Sequence, residues 1–269
     1  MSESLTRAIS GIVYIALLLG ATLLSPITFK ILFAIFLLIA VHEYCKLAHL
    51  DKKLPFAIAG IGIFLFGIYP VSSAYTNLLV CAAALFVSIG MLVDLFNNKP
   101  TAPRDTLGKM VRLMGYVVIP FLLIIKLPFL TTIYNPFVII GMFIMIWAND
   151  TFAYIVGRAI GKNKLFERIS PKKTIEGFVG GVVFTVAGAY ILSIYYTFLT
   201  PLQWMGFAAI VAVFGTLGDL VESKLKRVAG VKDSGNIMPG HGGILDRLDS
   251  VVFAIPFLFL YYQILVYVS

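Results

Sequence analysis

The sequence predicts an all-α, polytopic integral membrane protein of about nine transmembrane helices, with a cytoplasmic N-terminus and an outside C-terminus. Three observations carry that expectation. The 269 residues are 60% hydrophobic and only 13% charged, whereas a soluble domain carries roughly 25% charged residues. The mean hydropathy of +0.97 belongs to a chain whose solvent is lipid, so its length is counted in spanning helices of about 20 residues. The cationic residues alternate with the apolar runs in the way that sets membrane orientation.

The runs, in chain order, are Ala8–Leu24, Phe29–Cys45, Phe56–Tyr75, Thr76–Phe96, Lys109–Leu127, Pro136–Asn149, Ile175–Phe198, Leu202–Leu220 and Leu245–Val268. The first follows Arg7 and superficially resembles a signal peptide. No A-x-A-like cleavage site comes after it, and the sequence stays hydrophobic, so it reads as a span. The join between the third and fourth runs, around Pro70 to Asn77, is the least marked. The sixth is short and is expected to continue as a helix through Tyr154. His42 and Glu43 form a lone polar pair near the end of the second run, read as a helix end snorkelling to the interface rather than as part of a site.

Nine spans put the N-terminus and every second connection on one side. Every Lys and Arg except Lys30 and Lys126 falls on that side, which the positive-inside rule makes cytoplasmic. Losing or adding one helix destroys this alternation. The net charge of +8 is thereby accounted for by membrane topology, and no nucleic-acid partner is expected. Cys45 and Cys81 make neither a disulfide framework nor a metal-ligand spacing.

Two dense charged clusters interrupt the apolar chain. In the second, Gly215–Ser250, a helical spacing puts Asp219, Glu222, Ser223, Lys226 and Arg227 on one face. The helix is expected to break at Gly230. A loop with Lys232, Asp233, Gly235, Pro239, His241, Gly242 and Gly243 follows, then a helix whose first turns carry Asp246, Arg247 and Asp249. Asp219, Asp246 and Asp249 are oxygen donors suited to a hard cation. Glycine-rich backbone approaches phosphate closely, and Lys and Arg neutralise it. Charge inside a membrane is costly enough to imply use. Ordinary ion pairs at the interface explain one Asp–Lys contact as well as a site does, and His241 alone reads first as a hydrogen-bonding loop residue.

The first cluster holds Asp150, Tyr154, Gly157 and Arg158 on one helical face, then Ser170-Pro-Lys-Lys-Thr-Ile-Glu-Gly177. Lys172, Lys173 and Thr174 end like a P-loop, but the upstream glycine that such a loop requires is missing. A basic loop attracted to anionic lipid is the alternative. Ser170 and Pro171, with Glu176 behind them, are expected to open a helix.

The run S-x-x-K-R-x4-K-D-x-G-x3-P-G-H-G-G-x-x-D-R-x-D from Ser223 to Asp249 resembles the signature of the phosphatidate cytidylyltransferase (CDP-diacylglycerol synthase) family. D-T-x-A-Y-x-x-G and S-P-K-K-T-x-E-G resemble it too, so the likeness covers about residues 147–250; Met238 is a conservative departure. The resemblance implies transfer of the cytidylyl group of CTP to phosphatidate with Mg2+. It implies one or two cations on Asp219, Asp246 and Asp249, and Lys226, Arg227, Lys232 and Arg247 on the phosphates. Ser223, His241 and the backbone of Gly242 and Gly243 join them, Lys172 and Lys173 close over the substrates, and Asp150, Tyr154 and Thr174 complete the wall. On this reading residues 1–130 are lipid-facing scaffold and 131–269 the catalytic region. The enzyme lies in the cell membrane with its site facing the cytoplasm, and a homodimer stays open. An ion or solute transporter is the competing class, disfavoured by the absence of a visible repeat and by charge gathered on one side. Another CTP-dependent lipid enzyme is the third.

Overall fold

The computed structural model describes residues 3–68, 73–97, 105–131, 133–240 and 242–268. Helix α1 (Glu3–Leu24) and helix α2 (Pro26–Ala48) meet at Ser25. There Ser25 Oγ accepts the Thr28 N–H at 3.1 Å and Thr28 Oγ1 accepts the Ser25 N–H at 3.1 Å, a reciprocal cap ahead of an N1 proline. Helix α3 (Lys53–Gly62) runs on as a π-helical turn to Ile68, and α4 (Ala74–Phe96) starts at its Ser73 cap. Helix α5 (Thr106–Leu113), a π-helical stretch (Met114–Val118), α6 (Ile119–Lys126) and a 3-10 turn (Leu127–Phe129) form one rod. The widened turn comes just before Pro120, whose ring removes a helix donor and crowds the preceding turn. Helix α7 (Pro136–Ile160) continues well past Tyr154, as expected from its sequence.

Strands β1 (Lys164–Phe166) and β2 (Ser170–Thr174) follow as an antiparallel hairpin, Lys164 opposite Thr174 and Phe166 opposite Ser170. The sequence led to a helix opening at Ser170-Pro171. Helix α8 (Ile175–Tyr195) instead begins after Thr174, whose Oγ1 accepts the Gly177 N–H at 3.1 Å. Pro171 has no ladder donor to offer, which an edge of a two-stranded hairpin tolerates. Glu176 turns back to accept the N–H groups of Lys162 and Asn163, both at 3.1 Å, and ties the hairpin to α8. Helices α9 (Pro201–Val228) and α10 (Leu245–Val268) complete the chain.

Among the described residues, eight helical rods are long and apolar enough to cross a membrane, and Lys53–Gly67 is a shorter apolar helix. The third expected span, Phe56–Tyr75, is therefore divided: Tyr75 belongs to α4, and Pro70 lies outside the described residues. The most extensive packing joins α7 to α8, α9 to α10 and α8 to α9. Within it Phe214 and Phe257 stack at 3.6 Å, and fully buried Trp204 donates to the Tyr196 carbonyl at 2.7 Å. The rod Thr106–Phe129 has 72% of its apolar window buried against 11% for α1. Residues 1–130 are thus not a uniform lipid-facing scaffold; α6 is core, packed on α10 and α2.

One end of the bundle gathers the polar side chains. The C-terminal end of α2 reaches the N-terminus of α10 through Glu43, and the Ser10 hydroxyl of α1 donates to the Pro239 carbonyl at 3.0 Å. At the C-terminal end of α4, Lys224 donates to the Asp94 and Asn97 carbonyls, Arg168 donates to Asn97 as well, and Asp94 pairs with Arg112. Cations at a helix C-terminus satisfy its orphan carbonyls and oppose its dipole. Helices α2 and α4 both finish at this end, so α4 starts at the other.

Candidate active site

Helix α9 sets one half of the site. Asp219 accepts from Ser223 Oγ at 3.3 Å and pairs with Lys173 of the hairpin. One turn on, Lys226 is held between Glu222 and Asp246, with its Nζ at 2.7 Å from Asp246 Oδ1. Glu222 is fully buried and Asp246 nearly so. A buried ion pair persists only when hydrogen bonds meet the remaining lone pairs. Asp246 meets that condition: its Oδ2 accepts the Ser234 N–H at 2.8 Å, the Ser234 hydroxyl at 2.9 Å and the Gly243 N–H at 2.7 Å.

The loop that supplies those donors needs its glycines. Gly240 and Gly242 have φ of 74° and 85°, left-handed backbone that favours residues without Cβ. The Met238 N–H bonds the Gly242 carbonyl at 3.0 Å across the turn. A Cβ on Gly242 would stand 2.5 Å from Asp246 Oδ2, so the backbone there closes directly onto the carboxylate.

Three cavities open beside this network: one of about 580 Å³ at Glu43 and Ser234, and two that share Asp150. The larger of those two, about 320 Å³, is lined by Asp150, Tyr154, Lys172, Lys173, Thr174 and Asp219 among others. The smaller, about 240 Å³, is lined by Tyr14, Trp147, Asp150, Asp246, Arg247 and Asp249 among others. Asp150 borders both. Asp219 lies within electrostatic range of Asp150 and of Asp249, with Lys173 the cation common to both carboxylates' surroundings. Carboxylates and cations thus interleave where the cavities approach each other, with Arg247 acting on Asp150 and Lys226 on Asp249.

The residues expected from the sequence sort into four groups. Asp150, Tyr154, Lys172, Lys173 and Asp219 come together on the larger cavity. Asp246, Arg247 and Asp249 border the smaller one. Ser223 and Lys226 lie in the network between, with Gly242 and Gly243 closing over Asp246; Lys226 is engaged by two carboxylates rather than presented to a substrate. Arg227, Lys232 and Asp233 are exposed and line neither cavity. Thr174 borders the larger cavity, but its oxygen caps α8. His241 lies outside the described residues. Among the described residues no three His, Cys, Asp or Glu side chains converge as a ready metal site. Asp219, Asp246 and Asp249 are split because Asp246 turns toward Lys226 and the glycine loop.

Sequence reasoning missed two contributors. Glu43 does not snorkel: His42 beside it is exposed, but Glu43 is 4% exposed and accepts from Ile244 N at 3.0 Å, Leu245 N at 2.8 Å and Ser234 Oγ at 3.2 Å. The signal was there, an acid inside an apolar run, which membranes rarely keep without a use. Asn149, also buried, donates to Thr216 Oγ1 at 3.2 Å and ties α7 to α9 beneath Asp150.

The fold and this cluster define a class: a multi-pass membrane protein with a carboxylate-, lysine- and glycine-lined site at one end of its helices. The chain belongs to the cytidylyltransferase family, whose model matches residues 5–265. It is similar to a protein of Bacillus subtilis (strain 168) named phosphatidate cytidylyltransferase, 34% identical over 265 residues, 96% of this chain and 97% of that one. It is also similar to proteins of the same name from Staphylococcus saprophyticus, 50% identical over 121 residues, and Staphylococcus aureus (strain COL), 48% over 122. Those two matches span 45% of this chain and 46% of each relative.

Proposed function

We propose that this protein transfers the cytidylyl group of CTP to phosphatidate, giving CDP-diacylglycerol and pyrophosphate for phospholipid biosynthesis. One observation carries the reading: two charged segments far apart in sequence meet on paired cavities that share Asp150. Two compartments beside a common wall suit two anionic reactants. The larger cavity, walled by the exposed hairpin with Lys172 and Lys173, takes the nucleotide phosphates. The smaller, walled by weakly packed α1 and carrying Arg247, takes the phosphatidate head group while its acyl chains stay in the bilayer.

A phosphate oxygen of phosphatidate attacks the α-phosphorus of CTP. One P–O bond forms there, and the bond from that phosphorus to the bridging oxygen of the departing pyrophosphate breaks. The attacking oxygen is already ionised, so no general base is needed. The barrier lies in bringing two polyanions together in line, which positioning and charge neutralisation lower. Lys172, Lys173 and Arg247 supply fixed positive charge, and the cavity walls limit the reactants' orientations.

Mg2+ would find carboxylate oxygens in Asp150, Asp219 and Asp249, of which Asp219 lies within electrostatic range of both others, and a hard cation is held through such oxygens. Asp219 and Asp249 would hold it, and Asp246 would join them only by releasing Lys226. When bound, the cation offsets phosphate charge.

The site faces the cytoplasm, with nine crossings that include the short α3, the N-terminus inside and the C-terminus outside. The charge alternation of the sequence supports this, as does the placing of the α1 N-terminal turn and the α10 C-terminus at opposite ends of the bundle. A C-terminal tag accessible only from the cytoplasm would break that topology.

Purified protein given phosphatidate, labelled CTP and Mg2+ is expected to form CDP-diacylglycerol. No product from a lipid-competent preparation would overturn the assignment.

A further inference from the structure

We propose that Glu43, on α2 and outside both charged motifs, is a positioning residue that sets the geometry of Asp246 and Lys226. The inference rests on the cytidylyltransferase reading for its activity test, but the structural part stands by itself. Glu43 is buried, and the strongest groups favouring its charge are the hydrogen-bond donors Leu245, Ile244 and Ser234. Oε1 takes the Ile244 N–H and Oε2 the Leu245 N–H, at 3.0 and 2.8 Å. Those are among the orphan donors at the start of α10, where the helix dipole favours an anion. Glu43 is thus a helix cap donated from another helix.

What it caps is the point where Asp246 is fixed. The Ser234 hydroxyl stands between the two carboxylates, 3.2 Å from Glu43 Oε2 and 2.9 Å from Asp246 Oδ2. Ser234 also gives Asp246 its backbone N–H. A chain of contacts therefore runs from Glu43 through Ser234 to Asp246, then through Lys226 to Glu222. The loop is shaped around the carboxylate. A Cβ on Gly243 would stand 2.3 Å from Glu43 Oε1, and one on Gly235 would stand 2.4 Å from the same atom. Both glycines close on Glu43 from the loop, so the carboxylate is the template on which the turn between α9 and α10 is set. The Glu43 and Asp246 carboxylates are each met by several hydrogen bonds, and buried polar groups satisfied in this way hold one arrangement.

The test uses the full-length protein purified in detergent and returned to phosphatidate vesicles. Glu43→Gln keeps the size but offers one N–H of α10 a donor instead of an acceptor. It is expected to lower kcat per folded molecule at least about tenfold, the scale of a small misplacement of reacting groups, with KM for CTP and phosphatidate within about twofold of wild type. The folded fraction is measured by size-exclusion chromatography, so that lost protein is not counted as lost turnover. Ser234→Ala removes only the relay hydroxyl and is expected to act in the same direction. The double variant is expected to be no worse than the worse single one, because both break one chain. Amide exchange at Ile244 and Leu245 is expected to speed up in Glu43→Gln, a readout that does not depend on the reaction. If Glu43→Gln does not fold, Ser234→Ala carries the kinetic test. Turnover within twofold of wild type in the folded variants, a rise in KM at unchanged kcat, or multiplicative losses in the double variant would each overturn the proposal. A wild-type protein without cytidylyltransferase activity would remove the function reading, and the amide exchange would still decide the latch.

Discussion

Two lysines of this site live in opposite surroundings. Lys226 is held inside the bundle by Glu222 and Asp246, and Asp246 is saturated by Ser234 and Gly243. Lys173 reaches from the hairpin to Asp219 on a cavity wall, its side chain 28% exposed, facing more acid than it balances. The first arrangement is closed around its cation, with Asp246 held by hydrogen bonds and buried Glu222 by the ion pair alone. The second is incomplete and leaves room for charge to arrive. A motif that reads as one row of catalytic residues therefore divides, in space, into a scaffold and a reactive face.

Asp219→Asn breaks the comparison most sharply, because the carboxylate belongs to the open side. Turnover is expected to fall by about two to three orders of magnitude, the scale for removing one preorganised electrostatic group. The thermal midpoint in detergent should stay close to wild type. Near-normal CDP-diacylglycerol formation would take Asp219 out of the cation site. Lys226→Met attacks the closed side and leaves Glu222 and Asp246 facing each other without their cation. The expected loss is about 3–5 kcal/mol of stability, read as a large drop in unfolding temperature. An unchanged midpoint with lost activity would move Lys226 to the reactive face.

Lys173→Ala sharpens the contrast. Its pair is partly exposed, and such pairs contribute about 0–1 kcal/mol, so the midpoint should barely move. Turnover at limiting CTP is expected to fall about tenfold, one charge-assisted contact's worth, mostly in KM. Higher salt should weaken wild-type CTP binding more than that of this variant. The smallest effect is expected at Arg227→Ala and Lys232→Ala, whose side chains are exposed and outside both cavities. Each is expected to stay within about threefold of wild type in kcat/KM, less than a single hydrogen bond's contribution. A hundredfold loss at either would mean that the glycine loop closes over the substrates during turnover.

Much of the fold was legible because a membrane makes backbone satisfaction compulsory, so apolar runs become helices with few alternatives. Leu245–Val268 was placed with the bounds it has, and α7 was expected to outrun its apolar stretch. The hairpin escaped, since Lys164–Thr174 is polar and short and its pairing depends on a partner strand rather than on local pattern. The interior position of α6 escaped as well, because hydropathy does not distinguish lipid from other helices.

The site was legible in membership more than in role. Helical spacing by itself put Asp219, Glu222, Ser223 and Lys226 on one face, and composition alone marked the two clusters as the places where charge is kept in an apolar chain. Which carboxylate each lysine meets was decided only when α9, α10 and the hairpin packed together. The same packing brought Glu43, nearly two hundred residues earlier in the chain, onto the first turn of α10. The physical reason is range. Periodicity and hydropathy are local properties that one strand of sequence carries whole, whereas an ion pair or a borrowed helix cap is a distance between segments, and no segment holds that distance by itself.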